Sequence, residues 1–121
     1  MSLPNELAAA RVALDAAGIE ADLPTAVDNV PTERRELFGW AVREGVTNVV
    51  RHSGARHCRV VVTGSGVEVV DDGRGPAEWG AAPADTGGHG LSGLRERAAD
   101  VGASVTVGAV EGGGFRLRVG W

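Results

Sequence analysis

VEVVDDGRG (Val67–Gly75), a run of small residues, and then GGHGLSGLRER (Gly87–Arg97) form the stretch that decides the fold. A β-type run ends on two acids. Two glycines spaced by one residue follow, then a pliable segment, a second group of glycines and an amphipathic helix. This order builds a cradle with a carboxylate at one end and a helix N-terminus, rich in free N–H groups, at the other. A base suits the first end and phosphates the second. The chain has no lysine, because all twelve of its cations are arginine. The P-loop and the protein-kinase site both need a lysine. A nucleotide held here is held by another route.

Working outward, the chain of 121 residues reads as one domain, 1–121, with a hydrophobic fraction of 43% and a charged fraction of 23%, enough for a real core. The net charge of −4 argues against nucleic acid as a partner. No stretch approaches the ~18 apolar residues that a membrane span requires. The single cysteine, Cys58, excludes an internal disulfide and fits a reducing compartment. It alternates with Val60 and Val62, so a place in the core is expected.

Leu7, Ala10, Leu14 and Ala17 repeat at helical spacing over Asn5–Ala17, and Gly18 ends that helix. Ile19–Leu23 alternates like an edge strand. Thr32 is placed to N-cap the next helix, with Glu33 and Glu36 in its first turn. That helix, Glu33–His52, carries Leu37, Phe38, Ala41, Val42, Val46, Val49 and Val50 as a broad apolar arc. His57–Thr63 and Val67–Asp71 form a hairpin about Gly64-Ser65-Gly66. Gly73–Gly90 reads as a long structureless lid. A helix over Leu91–Val101 buries Leu94, Ala98 and Val101, and a second hairpin pairs Ser104–Val110 with Phe115–Val119. Interleaved helices and hairpins without βαβ units predict an α+β fold, a two-layer sandwich with helices on one face of a mixed, mostly antiparallel sheet.

Three constellations carry chemistry. Glu44 and Asn48, four residues apart, share one helix face at the rim of the apolar arc. Asn48 offers a neutral oxygen to a hard cation such as Mg²⁺, and Glu44 a carboxylate to take a proton or orient a water. Arg51 and His52 follow a turn later, within reach of phosphate. The bland alternative is a solvated helix edge. In Asp71-Asp72-Gly73-Arg74-Gly75 an acid ends a buried strand, where it needs a donor such as the adenine amine. Asp-Gly is equally a common turn pair. Gly87-Gly88-His89-Gly90-Leu91 ends at a helix start that favours anions, or else serves as a hinge. A Rossmann reading fails, because Glu78 stands at the third glycine position and no helix opens there.

As an ordered set, REGVTNVVRHSGA (Arg43–Ala55), VVDDGRG (Val69–Gly75) and GGHGLSGLRERA (Gly87–Ala98) resemble the N, G1 and G2 boxes of the GHKL, or Bergerat-fold, ATP-binding domain. The wording is most similar to sensor histidine kinases of the DesK-like class, which pair with NarL-type response regulators. The leading LAAARVALDAAGIEADL also resembles the stretch that joins the dimerisation helices of that class to its catalytic domain. The resemblance implies that Asn48 binds the Mg²⁺ bridging the phosphates of ATP. It implies that Asp71 accepts from the adenine amine, with Gly73 and Gly75 shaping the pocket. Gly88, His89, Gly90 and Leu91 would bring the lid and helix start to the phosphates, Arg51 and His52 would add phosphate contacts, and Glu44 would act as the catalytic acid–base group.

Two departures stand out. Phe115 follows Gly114 where a threonine is common in the third glycine box. His52, His57 and His89 are followed by Ser, Cys and Gly, so none resembles a phosphoaccepting histidine. The expectation is a catalytic domain excised from a longer kinase. It would be cytoplasmic or the cytoplasmic part of a membrane-anchored sensor, monomeric by itself, and would act on a histidine of a separate dimerisation domain. A free-standing serine kinase of the anti-sigma-factor type and a degenerate interaction module stay open as alternatives.

Overall fold

The computed structural model describes residues 2–73 and 84–121, with side chains described throughout except at 52, 53 and 84–90. Helix α1 (Leu3–Ala16) is capped by Ser2, whose Oγ accepts from the Asn5 backbone N–H at 3.3 Å. Strand β1 (Glu20–Asp22) follows, then α2 (Thr32–Asn48), which runs into a π-helical turn at Val49–Ser53. Strands β2 (His57–Val62) and β3 (Gly66–Asp71) form the first hairpin. Helix α3 (Ala84–Asp100) leads to the second hairpin, β4 (Ser104–Ala109) and β5 (Phe115–Gly120).

The five strands form one sheet in the order β1-β2-β3-β5-β4. Strand β1 pairs parallel with β2, and the other pairs are antiparallel. Period-2 alternation sorts the side chains. Cys58, Val60, Val67, Val69, Val105, Leu117 and Val119 are buried on the helix-bearing face. The opposite face carries charge, including Glu68 and Arg116 paired at 3.3 Å, as an antiparallel sheet open to water on one side requires. Helices α1 and α3 both pack on α2, which itself lies on β3, while α3 also covers β4. The α+β two-layer reading holds, and so does the burial of Cys58, which is 1% exposed.

Two anchors set how α2 lies on the sheet. At its start, Arg34 donates to the Gly64 carbonyl at 2.7 Å, and its guanidinium sits 4.0 Å from the centre of the Trp121 ring. Further on, Gly45 packs so close to β3 that a Cβ there would lie 2.7 Å from Cγ2 of Val69. Eleven helical residues rise about 16 Å, and the five residues from Gly64 to Val69 advance about the same in extended form. Helix and strand therefore run alongside each other in the same direction. One turn past Gly45 stands Asn48; two residues past Val69 stands Asp71. Both reach the same end of the sheet.

Four local expectations are corrected. Thr32 is the first helical residue rather than the cap; Pro31 takes the cap position with no side-chain bond, and its fixed φ suits a helix entry. Val50 was expected in the apolar arc but is 39% exposed, because the wider π turn shifts the helical phase after Asn48 while Val49 stays buried. Val101 lies beyond α3 in a turn and is exposed. Most consequentially, α3 starts at Ala84, seven residues before Leu91. Glycine costs a helix about 1 kcal/mol per residue but does not forbid it. The structureless reading of 73–90 therefore fails over 84–90, and residues 74–83 lie outside the described residues.

Candidate functional site

Among the described residues, the buried polar side chains are Asn48 and Asp71. Every other fully buried side chain of the core is apolar. Two polar groups at the same end of one sheet need a reason, since burying such groups without partners costs a few kcal/mol each.

Asn48 ends α2. Its Nδ2 donates to Oε1 of Glu44 at 3.3 Å, a bond made possible by their separation of one helical turn. That bond uses the amide nitrogen and leaves Oδ1 with no donor among the described residues. The oxygen is what a hard cation would want. Glu44 is half-buried, and Arg51 is exposed on the π turn that follows. Such wide turns recur at functional sites, where they re-aim a helix end. No pattern in the sequence marked this one.

Asp71 ends β3, in the register Cys58↔Asp71↔Phe115. Its Oδ1 accepts from the Gly73 N–H at 2.8 Å. Burial raises its pKa above the usual carboxylate range; the Gly73 bond opposes that shift and the neighbouring charge of Asp72 adds to it. The Gly73 N–H is the one donor that the structure gives this carboxylate among the described residues. Burial also pushes the Cys58 thiol opposite it up to about 12, helped by the charges of Asp71 and Asp72, so it is inert core. The turn between β4 and β5 closes the site from behind. Gly114, at φ +117°, lies against the Asp71 main chain so closely that any Cβ would overlap the Asp71 carbonyl oxygen. Sequence reasoning noted Gly114 only for the residue after it and missed this contact.

Helix α3 completes the picture. Its C-terminal end joins β4 through a short turn, and Arg95 donates to the Val105 carbonyl at 3.2 Å. Its N-terminal end therefore points along β4 toward Ala109, which pairs with Phe115 and so lies across the sheet from Asp71. Gly88, His89 and Gly90 belong to this end of the helix. An α-helix leaves only the N–H groups of its cap position and first three residues unpaired, here no further than Thr86. Gly88 and Gly90 consequently stand inside the hydrogen-bonded ladder, not at a free N-terminus. Leu91 is half-buried against the core. Gly75 and the side chains of His52 and His89 lie outside the described residues.

Among the described residues no cluster of three His, Cys, Asp or Glu side chains is arranged to hold a metal ion. A magnesium ion that takes one amide oxygen, waters and a ligand's phosphates needs no such cluster. No described helix is long and apolar enough to cross a membrane.

Helices on one face of a five-stranded mixed sheet match the fold of solved histidine kinase ATPase domains. No family model matches the chain, but individual proteins do. The chain is homologous to the sensor histidine kinases YxjM and DesK of Bacillus subtilis (strain 168). It is 29% identical to YxjM over 119 residues, covering 95% of this chain and 26% of that protein. With DesK it shares 38% identity over 74 residues, covering 58% of this chain and 19% of that protein, in keeping with a DesK-like class. It thus spans about a quarter of the first relative and a fifth of the second. The cytoplasmic segment of histidine kinase QseC superposes with a TM-score of 0.71 at 25% identity, over 98% of this chain and 71% of that one. Full-length ShkA in complex with AMPPNP shares the fold, at TM-score 0.68 and 21% identity, over 97% of this chain and 28% of that one.

Proposed function

We propose that this chain is the nucleotide-binding catalytic domain of a two-component sensor histidine kinase. On this reading it binds Mg-ATP and presents the γ-phosphate to a histidine on a separate dimerisation domain, with a NarL-type regulator as the downstream acceptor. One observation carries the reading: Asn48 and Asp71, the buried polar side chains among the described residues, stand at one end of the sheet. The AMPPNP bound by ShkA, which shares the fold, supports a nucleotide as the ligand.

The residues then divide the work. Asp71 accepts from the adenine amine, which supplies the donor its burial demands. Gly73 and Gly75 admit the flat ring. Asn48 Oδ1, with its amide held in orientation by Glu44, would hold the magnesium ion that accompanies the nucleotide. The magnesium supplies charge neutralisation at the phosphates. Glu44, bonded to that amide, is the carboxylate assigned on this reading to take a proton from the attacking imidazole. Arg51, exposed on the π turn, supplies a phosphate contact, and His52 is assigned the same role from the sequence. Gly88 and Gly90 donate main-chain N–H groups only if the first turns of α3 open, a rearrangement that three glycines at 87, 88 and 90 keep inexpensive. Phosphoryl transfer needs mainly positioning and charge neutralisation, so the domain by itself binds nucleotide and turns over slowly.

Calorimetry and thermal melting with Mg-ATP test the reading. A ligand at about 100 times its Kd adds about 2.7 kcal/mol of stability. Asn48→Ala should change the Mg²⁺ dependence of binding more than the affinity for adenosine. Absence of any ATP-dependent stabilisation refutes the proposal. Labelled ATP supplied with a candidate partner should mark histidine; label on serine would identify an anti-sigma-type kinase instead.

A further inference from the structure

On the open face of the sheet, behind Asp71, lies a cleft of about 600 Å³ lined by Glu20, His57, Asp72, Val110 and Gly113 among others. Asp71 also lines it, and of the lining residues the function proposed above uses Asp71 alone. Asp72 follows Asp71 directly. Its Oδ1 accepts from the backbone N–H groups of Arg56 and His57 at 2.9 and 3.0 Å, and its Oδ2 meets Nδ1 of His57 at 2.8 Å. The Asp72 N–H donates back to the His57 carbonyl at 3.3 Å. The other ring nitrogen of His57 meets Oε2 of Glu20 at 3.0 Å, across the parallel pair Glu20↔His57.

One carboxylate therefore ties the start of β2 to the end of β3, at the residue beside the buried acid. One imidazole ties that carboxylate to the edge strand. We propose that Asp72 and His57 form a positioning pair for Asp71, so that nucleotide affinity follows the protonation of His57. The proposal rests on the nucleotide reading above. Neither residue touches the nucleotide: Asp71 shares the helix-bearing face with Val69, and His57 shares the other with Arg59. The pair acts through the main chain and through charge.

Protonated His57 holds both carboxylates and offsets the negative charge that Asp72 places near Asp71. The charged groups around it are Glu20 and Asp22 on β1, Arg56 and Arg59 beside it in sequence, and Asp71 and Asp72 on the β3 side. Hydrogen bonding to Asp72 raises the His57 pKa, assisted by Glu20. The His57 N–H, followed by its ring and the Arg56 N–H, lowers Asp72 to about 2. The signs follow. The His57 contribution is complete below its ordinary value and is lost as pH rises through the raised one. The Asp72 contribution is present above about 4 and is lost only toward about 2.

The test is Mg-ATP calorimetry from about pH 6 to about pH 8.5 on the whole chain, for the parent, His57→Gln and Asp72→Asn. The titration of the nucleotide itself is common to all three and cancels in the ratios. The parent should bind more tightly than His57→Gln at the acidic end, by about two- to fivefold for a solvent-exposed pair. The two should converge at the alkaline end. In Asp72→Asn the ratio should be flat, and the His57 imidazole, followed by NMR, should titrate at a lower pH than in the parent. Parallel binding profiles for the parent and His57→Gln overturn the positioning pair while leaving the nucleotide reading intact. No binding by the parent at any pH overturns both.

Discussion

The two ends of the proposed nucleotide cradle are built in opposite ways. The acid end is fixed: Asp71 lies in the central strand, bonded to Gly73, backed by Gly114 and followed by a residue whose carboxylate makes three bonds. The glycine end is convertible. Gly87, Gly88 and Gly90 lie in a helix that they weaken, and their N–H groups become available only when it opens. A base has one shape, so a rigid socket serves it. A phosphate chain is flexible and changes during transfer, so a segment that can switch serves it better. The contrast implies that adenine affinity is set by preorganisation and phosphate affinity by a conformational equilibrium.

The strongest way to break this contrast is Asp71→Asn. It replaces a buried acceptor with a group that cannot accept in the same way, so ATP affinity should fall by about 2–4 kcal/mol. Ligand-free stability should not fall with it. The folded pKa of Asp71 is raised, so the native state pays for an ionised carboxylate once pH exceeds the ordinary value. The amide removes that cost, and the melting temperature at neutral pH should hold or rise. A variant that melts lower and still binds ATP normally would make Asp71 a structural acid.

Next in size is the other end. Gly88→Ala combined with Gly90→Ala should stabilise the helical form of α3 by about 2 kcal/mol, at about 1 kcal/mol per glycine. That stabilisation opposes opening, so ATP affinity should drop by up to about the same amount while adenosine affinity stays put. Equal losses for ATP and adenosine, or no loss, would show that the first turns of α3 do not open for phosphate. Binding of the two ligands by calorimetry, with helicity by circular dichroism, reads both quantities.

How much of this was legible follows the same division. Strand alternation placed Cys58 with Val60 and Val62 toward the core, and the two hairpins followed from β-branched runs and glycine turns. Asp71 and Asn48 stood out because polar groups at the edge of apolar patterns are costly. What escaped were features with no local signature. The π turn after Asn48 preserves a helical pattern in sequence yet turns Val50 outward. The early start of α3 was hidden because glycines read as breakers, although a helix tolerates them when other contacts hold it. The bonds from Asp72 to residues 56 and 57 join positions sixteen and fifteen apart, and only the hairpin register brings them together. Long-range pairings of this kind cannot be read from spacing alone.

The smallest effect tests what brings the two buried polar groups to one end. Gly45 lets α2 approach β3 until a Cβ would lie 2.7 Å from Cγ2 and 2.9 Å from Cβ of Val69, and 3.1 Å from Cδ2 of Leu117. Gly45→Ala therefore has two opposed consequences. Helix propensity gains about 1 kcal/mol, while overpacking against a β-branched side chain costs about 1–3 kcal/mol. Cβ of Val69 cannot swing aside as the tip of a longer side chain would, so the cost wins and a net loss of about 1 kcal/mol is expected in urea unfolding. The strain is relieved by lifting α2 from the sheet, which moves Asn48 away from Asp71. Mg-ATP affinity should then fall by more than adenosine affinity, because the lift separates the metal-binding amide from a base socket that stays with the strand. A variant as stable as the parent, with unchanged Mg²⁺ dependence, would mean that the spacing between helix and strand does not set the span between base and metal.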